Sequence, residues 1–305
     1  MADDPPATPR VLVDGHHHLW DLGRLPYPWL RPEAPPRPFG DHAAIKRDYL
    51  LDEYLAAMPP GLVASVHVQA NCGAADPVEE TAFVAAAAAA AGHRMAIVGQ
   101  VDPAAPDLAA QLDRHCAWPG FRGVRLFAGH DADPAWSQTD DPARLSHRQV
   151  LRLAEALEAR GLSLDLVVNP GQLAQVAALA ARFPALAVII NHLGHPRSAT
   201  PDRAAQWREG ILAAAGAGNV MLKLSALWTI DRGWRPEALA PFLAHAVAAF
   251  GPERCLFGSN LPIESVMVPP GALVGRLCAA LNLAGIADAG QKAILGGTAL
   301  RVYRP

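Results

Sequence analysis

The stretch VDGHHHLWD, residues 13–21, places three consecutive histidines directly after a short apolar segment. In an extended strand, side chains two residues apart share a face. Asp14, His16 and His18 then point one way, and His17 points the other. Two imidazoles on one side of a strand end suit metal ligation or the polarisation of a carbonyl. Other polar residues stand late in apolar runs further along: Gln69 in LVASVHVQA, Asp102 in MAIVGQVD, Arg125 in GVRLF, His192 in LAVIINHLG, Lys223 in VMLKLSAL and Asn260 in CLFGSNLP. The question is whether one fold brings these residues together.

The runs themselves suggest how. Eight short segments rich in Val, Ile and Leu, from VLVDGHHH (11–18) to CLFGSNLP (255–262), alternate with helical patterns such as SHRQVLRLAEALEARG. Several of those patterns end in glycine or open with proline, as helices do. Eight strands alternating with eight helices predict an α/β fold, a (β/α)8 TIM barrel. No GxGxxG follows the first strand, which argues against a dinucleotide-binding sheet. Residues 1–10, acidic and proline-rich, are predicted to be a flexible tail, and residues 11–305 one barrel domain. Residues 19–45, with Trp20, Tyr27 and Trp29, form a long loop after the first strand and are expected to fold over the barrel mouth as a lid. GHDADPAWSQTDDP (129–142) is a second long connection, a lid element or a solvated acidic loop.

Two-residue alternation then predicts an inward set. If the apolar face of VMLKLSAL meets the helices, Lys223 turns inward. The same reasoning gathers His16, His18, Gln69, Asp102, Arg125, His192, Lys223 and Asn260 near the C-terminal ends of the strands, where active sites of this fold sit. An unpartnered buried polar group costs about 1–3 kcal/mol, so such a set is not idle. Blander roles compete at each position. His67 is expected to be a hydrogen-bonded core histidine. Gln69 and Asp102 could satisfy loop backbone, and Arg125 could pair with Asp102 instead of a substrate carboxylate. Lys223 could pair with a buried carboxylate.

Bulk properties narrow the function. The chain has 305 residues, 51% hydrophobic content and a formal net charge of −3. No extended basic block is present, which argues against nucleic acid and anionic membrane surfaces as partners. No apolar run reaches spanning length, and the first residues do not form a secretory signal. Cys72, Cys116, Cys255 and Cys278 form no CxxC pair, consistent with reduced thiols in the cytoplasm. The expected partner is a small molecule. A homo-oligomer is left open.

The motifs DGHHHLWD, HVQAN, GFRGVRLF, VIINHLGHP, VMLKLSAL, LFGSNLP and GGTALRVYRP together resemble the amidohydrolase-related family of TIM-barrel metal-dependent hydrolases, in its lactonase-like branch. The resemblance runs from about residue 11 to the C-terminus. It implies that His16 and His18 are the HxH pair of the first strand and that His192 is the sixth-strand histidine. Asn260 stands where many members carry an aspartate, and LDLVVNPGQL supplies no fifth-strand histidine.

The chemistry implied is opening of a small carboxylated or sugar-derived lactone. His16, His18, His192 and Asn260 are the catalytic set, and Trp20, Gln69, Arg125, Lys223 and Trp228 bind substrate. The cofactor implied is one divalent metal, zinc or manganese, on His16, His18 and His192. The alternative is a metal-free site in which those imidazoles hydrogen-bond the carbonyl. A replacement base is then a neutral histidine, or Glu264 if its loop folds inward. Rival readings are a metal-dependent decarboxylase or amidohydrolase on the same scaffold, and a catalytically silent binding barrel.

Overall fold

The computed structural model describes residues 11–197 and 201–305. The tail expected over residues 1–10 lies outside them. Eight strands form one parallel sheet in chain order: β1 Leu12–His17, β2 Leu62–Val68, β3 Met95–Gly99, β4 Phe121–Phe127, β5 Ser163–Val167, β6 Ala187–Ile190, β7 Val220–Leu224 and β8 Cys255–Phe257. Each is followed by a main helix: α1 Leu51–Ala57, α2 Val78–Ala91, α3 Leu108–Cys116, α4 Arg148–Glu158, α5 Leu173–Arg182, α6 Pro201–Ala215, α7 Pro236–Phe250 and α8 Leu273–Leu283. Beyond β8 the chain returns to β1. Asn260 N–H donates to the His16 carbonyl at 2.7 Å, and His18 N–H to that of Leu261 at 2.8 Å. The architecture is the expected (β/α)8 barrel.

Parallel strands buried on both faces read as near-continuous apolar runs. Leu164, Leu166, Val188, Ile190, Leu222 and Leu224 pack toward the helices. Val13, Ala64, Val66, Val68, Ala96, Val98, Ile189, Met221 and Leu256 form a separate cluster inside, joined by Ala299 and Tyr303 from the C-terminal helix. Helix α4 shows the complementary pattern. It buries Val150, Leu153, Ala154 and Leu157, one stripe at helical spacing.

Simple alternation fails in β1 and after β6, and in β2 it holds with the polar face turned outward. In β1 the pairing with β2 shifts register between Asp14 and His17. Such a bulge re-aims side chains. Val13 faces the inner cluster, while Asp14 accepts a hydrogen bond from the Tyr54 hydroxyl of α1 at 2.9 Å. Asp14 therefore does not share the His16/His18 face. In β2, Ala64, Val66 and Val68 take the inside, so Gln69 belongs to the opposite face. After β6, His192 (φ 57°) and Leu193 (φ 54°) adopt left-handed backbone. That kink, not strand parity, turns the His192 side chain.

The loop after β1 is tied down by its aromatics. Tyr27 N–H donates to the Cys72 carbonyl and the Trp29 indole to the Ala70 carbonyl, both at 2.7 Å. Among the described residues no helix is long and apolar enough to cross a membrane.

Barrel closure leaves no room at Gly258, where a Cβ would lie 2.6 Å from the His16 Cβ. Gly258→Ala is expected to cost about 1–3 kcal/mol through overpacking. Denaturant titration reads this as a lower midpoint, and an unchanged midpoint would contradict the contact.

Candidate active site

The C-terminal ends of the strands surround a cavity of about 140 Å³. Its polar wall contains His18, Arg125, His192, His195 and Asn260, and its apolar wall is mainly Trp29, Phe39, Phe127, Trp136 and Trp228. His16 lies fully buried beside this wall. Its ring centroid is 5.0 Å from that of His18 and 4.6 Å from that of His192. The three imidazoles therefore converge.

Each is held by one nitrogen. His18 Nδ1 is 2.7 Å from the Val68 carbonyl oxygen. His192 Nδ1 is 3.0 Å from the Ser225 hydroxyl, and His16 Nδ1 is 3.4 Å from the Lys223 ammonium. His16 Nε2 is buried without a partner. Burial holds all three well below the ordinary histidine value; the charges of Lys223 beside His16, and of Arg125 beside His18 and His192, add to it. They stand neutral at physiological pH.

Arg125 is 5% exposed and forms no ion pair among the described residues. It donates to the Gln69 carbonyl, its Nε is unpartnered, and its guanidinium lies 4.5 Å from the Phe127 ring centroid. Burial lowers it to about 10, with Glu80 and Asp165 opposing from a distance, so it remains a cation at neutral pH. An unpaired buried guanidinium at a cavity wall has the charge and free donors to receive an anion.

Asn260 also has left-handed backbone (φ 55°). Its Nδ2 donates to Glu264 Oε1 at 3.3 Å, and the Trp234 indole donates to Glu264 Oε2 at 3.0 Å. Asn260 Oδ1 is left unpartnered at the cavity. The loop bearing Glu264 does fold inward, yet its carboxyl meets Asn260 rather than the cavity.

Several expected binding residues lie elsewhere. Gln69 Oε1 accepts its own loop's Asn71 N–H, so only its backbone carbonyl serves the site, through Arg125. Trp20 is fully buried with its indole on the Arg47 carbonyl; Trp29, stacked edge-on against it, takes the cavity position. Lys223 points inward but is wholly buried in an ion pair with Asp165 at 2.7 Å. Asp102 is exposed and caps the Ala104 N–H, so it is no partner of Arg125. His67 is buried with neither ring nitrogen hydrogen-bonded, contrary to the expected bonded core histidine. Trp228 does line the cavity, joined by Trp136 at 5.5 Å. Asp165 and His195 were missed. The alternation Ser163, Asp165, Val167 against Leu164, Leu166, Val168 marks Asp165 as inward, and His195 belongs to the quoted NHLGHP motif.

A divalent metal does not fit this donor set. The three imidazoles sit beside the Arg125 cation and the Lys223–Asp165 ion pair, His16 Nδ1 faces the Lys223 ammonium, and no carboxylate reaches them. Among the described residues no three His, Cys, Asp or Glu side chains form a ligating group.

The model of the amidohydrolase family matches residues 13–304, and the chain belongs to that family. It is a hydrolase. The L-fucono-1,5-lactonase of Burkholderia multivorans is 31% identical over 305 residues, covering 95% of each chain. The uncharacterized protein y4mH of Sinorhizobium fredii is 34% identical, over 84% of this chain and 86% of its own length. A crystal structure of an amidohydrolase from Burkholderia multivorans, with bound zinc, superposes with a TM-score of 0.76 at 29% identity and covers 96% of this chain and 99% of that one.

Burial raises Glu264 to about 8. The folded chain thus keeps a proton that the unfolded chain releases near its ordinary value. The associated stability is fully present below that ordinary value and is lost as pH rises through about 8. Glu264→Gln removes this loss; its single amide oxygen leaves one of the two donors without a partner, a cost that does not vary with pH. Its midpoint should gain on the wild type between about pH 5 and about pH 9 in thermal melts; a constant difference would refute the raised value.

Proposed function

We propose that the protein opens the ring of a small carboxylated or sugar-derived lactone by adding water. The observation that carries this reading is one cavity that joins converging neutral imidazoles to the unpaired Arg125 guanidinium. The relatives named as lactonases support the same reaction class.

The tautomer of His18 sets its role. A carbonyl only accepts, so His18 Nδ1 carries the proton that meets Val68. The neutral ring then keeps its lone pair on Nε2, which makes His18 the general base. Asn260 Oδ1 accepts a hydrogen bond from the second O–H of the attacking water, which stays on the oxygen, because its Nδ2 is committed to Glu264. Water oxygen bonds to the lactone carbonyl carbon as a proton passes to His18. His192 and His16 stabilise the oxyanion as donors. Collapse breaks the ring C–O bond, and His18 returns the proton to the leaving alkoxide. The product is a hydroxy acid. Arg125 holds an anionic substituent, and the indoles of Trp29, Trp136 and Trp228 cover the ring faces and exclude water. No step requires a metal.

A panel of carboxylated and sugar-derived lactones in a pH-indicator assay tests this. Acid release is expected; carbon dioxide release, or binding without turnover, would replace the reading. His192→Ala should lower kcat/KM on the best lactone by about 100-fold or more, as losing an oxyanion donor does. Unchanged turnover would remove that role.

The pH profile offers a separate check. His18 acts as its neutral form, and burial depresses its value. Activity should therefore stay level as pH falls through the ordinary histidine value, about 6.5, and decline only at more acid pH. A decline centred near that ordinary value would exclude a buried imidazole base.

A further inference from the structure

Below the cavity runs a chain of buried polar groups that starts at the C-terminus. The Tyr303 hydroxyl donates to Asp165, 2.9 Å from Oδ1 and 2.8 Å from Oδ2. Asn191 Nδ2 donates to Asp165 Oδ2 at 3.0 Å. Lys223 Nζ completes the shell at 2.7 Å, and every side chain in the chain is buried. Three donors converge on one carboxylate, an arrangement that only the ionised form satisfies fully. Its counter-ion is the Lys223 ammonium, which has hydrogens to give and no lone pair to accept with.

That ammonium lies 3.4 Å from His16 Nδ1. An imidazole nitrogen facing a pure donor must be the acceptor. The ring proton of neutral His16 then resides on Nε2, the nitrogen left without a protein partner beside His18 and His192.

We infer that Lys223 is a positioning residue: held by Asp165 and Tyr303, it locks His16 in the Nε2–H tautomer, making His16 a hydrogen-bond donor to substrate and closing that nitrogen to a metal. The inference deepens the lactone-opening reading, but its central measurement needs no substrate. Neither the cavity-lining residues nor the motifs assign such a task to Lys223 or to the C-terminal tyrosine. The tautomer also distinguishes His16 from His18, whose free nitrogen carries the lone pair. Two imidazoles five ångströms apart thereby divide into donor and base.

Nitrogen-15 NMR of histidine-labelled full-length protein decides it. Long-range proton–nitrogen correlations report the tautomer, and loss of one ring system in His16→Gln assigns the signals. The wild type should show His16 protonated on Nε2. Asp165→Asn/Lys223→Met removes both buried charges together and should convert His16 to a mixture or to the Nδ1–H form. In that variant kcat on the best lactone should fall by about 100-fold with KM changed less than about threefold. Zinc, titrated calorimetrically into both proteins, should bind the variant at least about tenfold tighter, since a freed Nε2 lone pair can ligate. A wild-type His16 protonated on Nδ1, an unchanged tautomer in the variant, or zinc binding equally well to both would overturn the inference. If the double variant does not fold, the wild-type spectrum still decides. If the spectrum is as expected and no lactone turns over, the tautomer lock stands and the reaction assignment falls.

Discussion

The Asp165–Lys223 ion pair is the interaction on which the barrel interior depends. Two charges removed from water are tolerated only when geometry and further hydrogen bonds compensate them, and removing one partner of such a pair typically costs about 3–5 kcal/mol. Here compensation comes from three directions: Tyr303 from the C-terminal helix, Asn191 from the end of β6, and His16 from β1. The pair thus links distant parts of the chain at the centre of the sheet. It also sets a positive charge next to His16, which together with burial keeps that imidazole neutral.

Neutral imidazoles are useful only where water is scarce and their proton positions are defined. The cavity meets both conditions. Trp29, Phe39, Trp136 and Trp228 wall it from the loops, and Trp29 is pinned to the Ala70 carbonyl at the top of β2. In a low-dielectric space each fixed donor acts more strongly on a developing oxyanion than it would in solvent. Arg125 is lowered by the same burial but keeps its charge, because a guanidinium begins far above neutrality. One environment therefore yields neutral histidines and a charged arginine side by side.

The eight-fold strand–helix alternation was legible in the sequence because parallel barrel strands are continuous apolar runs. Arg125 and Lys223 were legible as inward because pairing around them is regular, from Gly123 to Phe127 along β5 and from Leu222 to Leu224 along β8. The failures have backbone causes. The bulge in β1 detached Asp14 from its expected face, and the left-handed kink at His192 placed that side chain where parity alone does not. Asn260 follows the parity of Leu256 in the inner cluster, whereas His192, expected inward by alternation, shares the parity of the helix-facing Val188 and Ile190 and reaches the cavity only through the kink. Gln69 was misplaced because β2 has polar residues on its helix-facing side: Ser65 binds His17 and His93, at 3.0 and 2.9 Å, in a second buried network. The exchange of Trp20 for Trp29, and the arrival of Tyr303 beneath the site, depend on loop and terminal packing that no local spacing encodes.

Asn260 shows how the chemistry is redistributed. An amide cannot take up a proton, so in the proposed reaction Asn260 serves as an acceptor and a spacer and not as a base. A carboxyl group is still present one step behind it, in Glu264, but burial raises that group to about 8, and its oxygens are engaged by Asn260 and Trp234. A carboxyl held largely protonated at neutral pH is a poor base and a good anchor. Its Oε1 accepts from Asn260 Nδ2, which leaves Asn260 Oδ1 on the cavity side. In the proposed reaction, proton transfer then falls to His18, whose Nε2 lone pair the Val68 carbonyl leaves free.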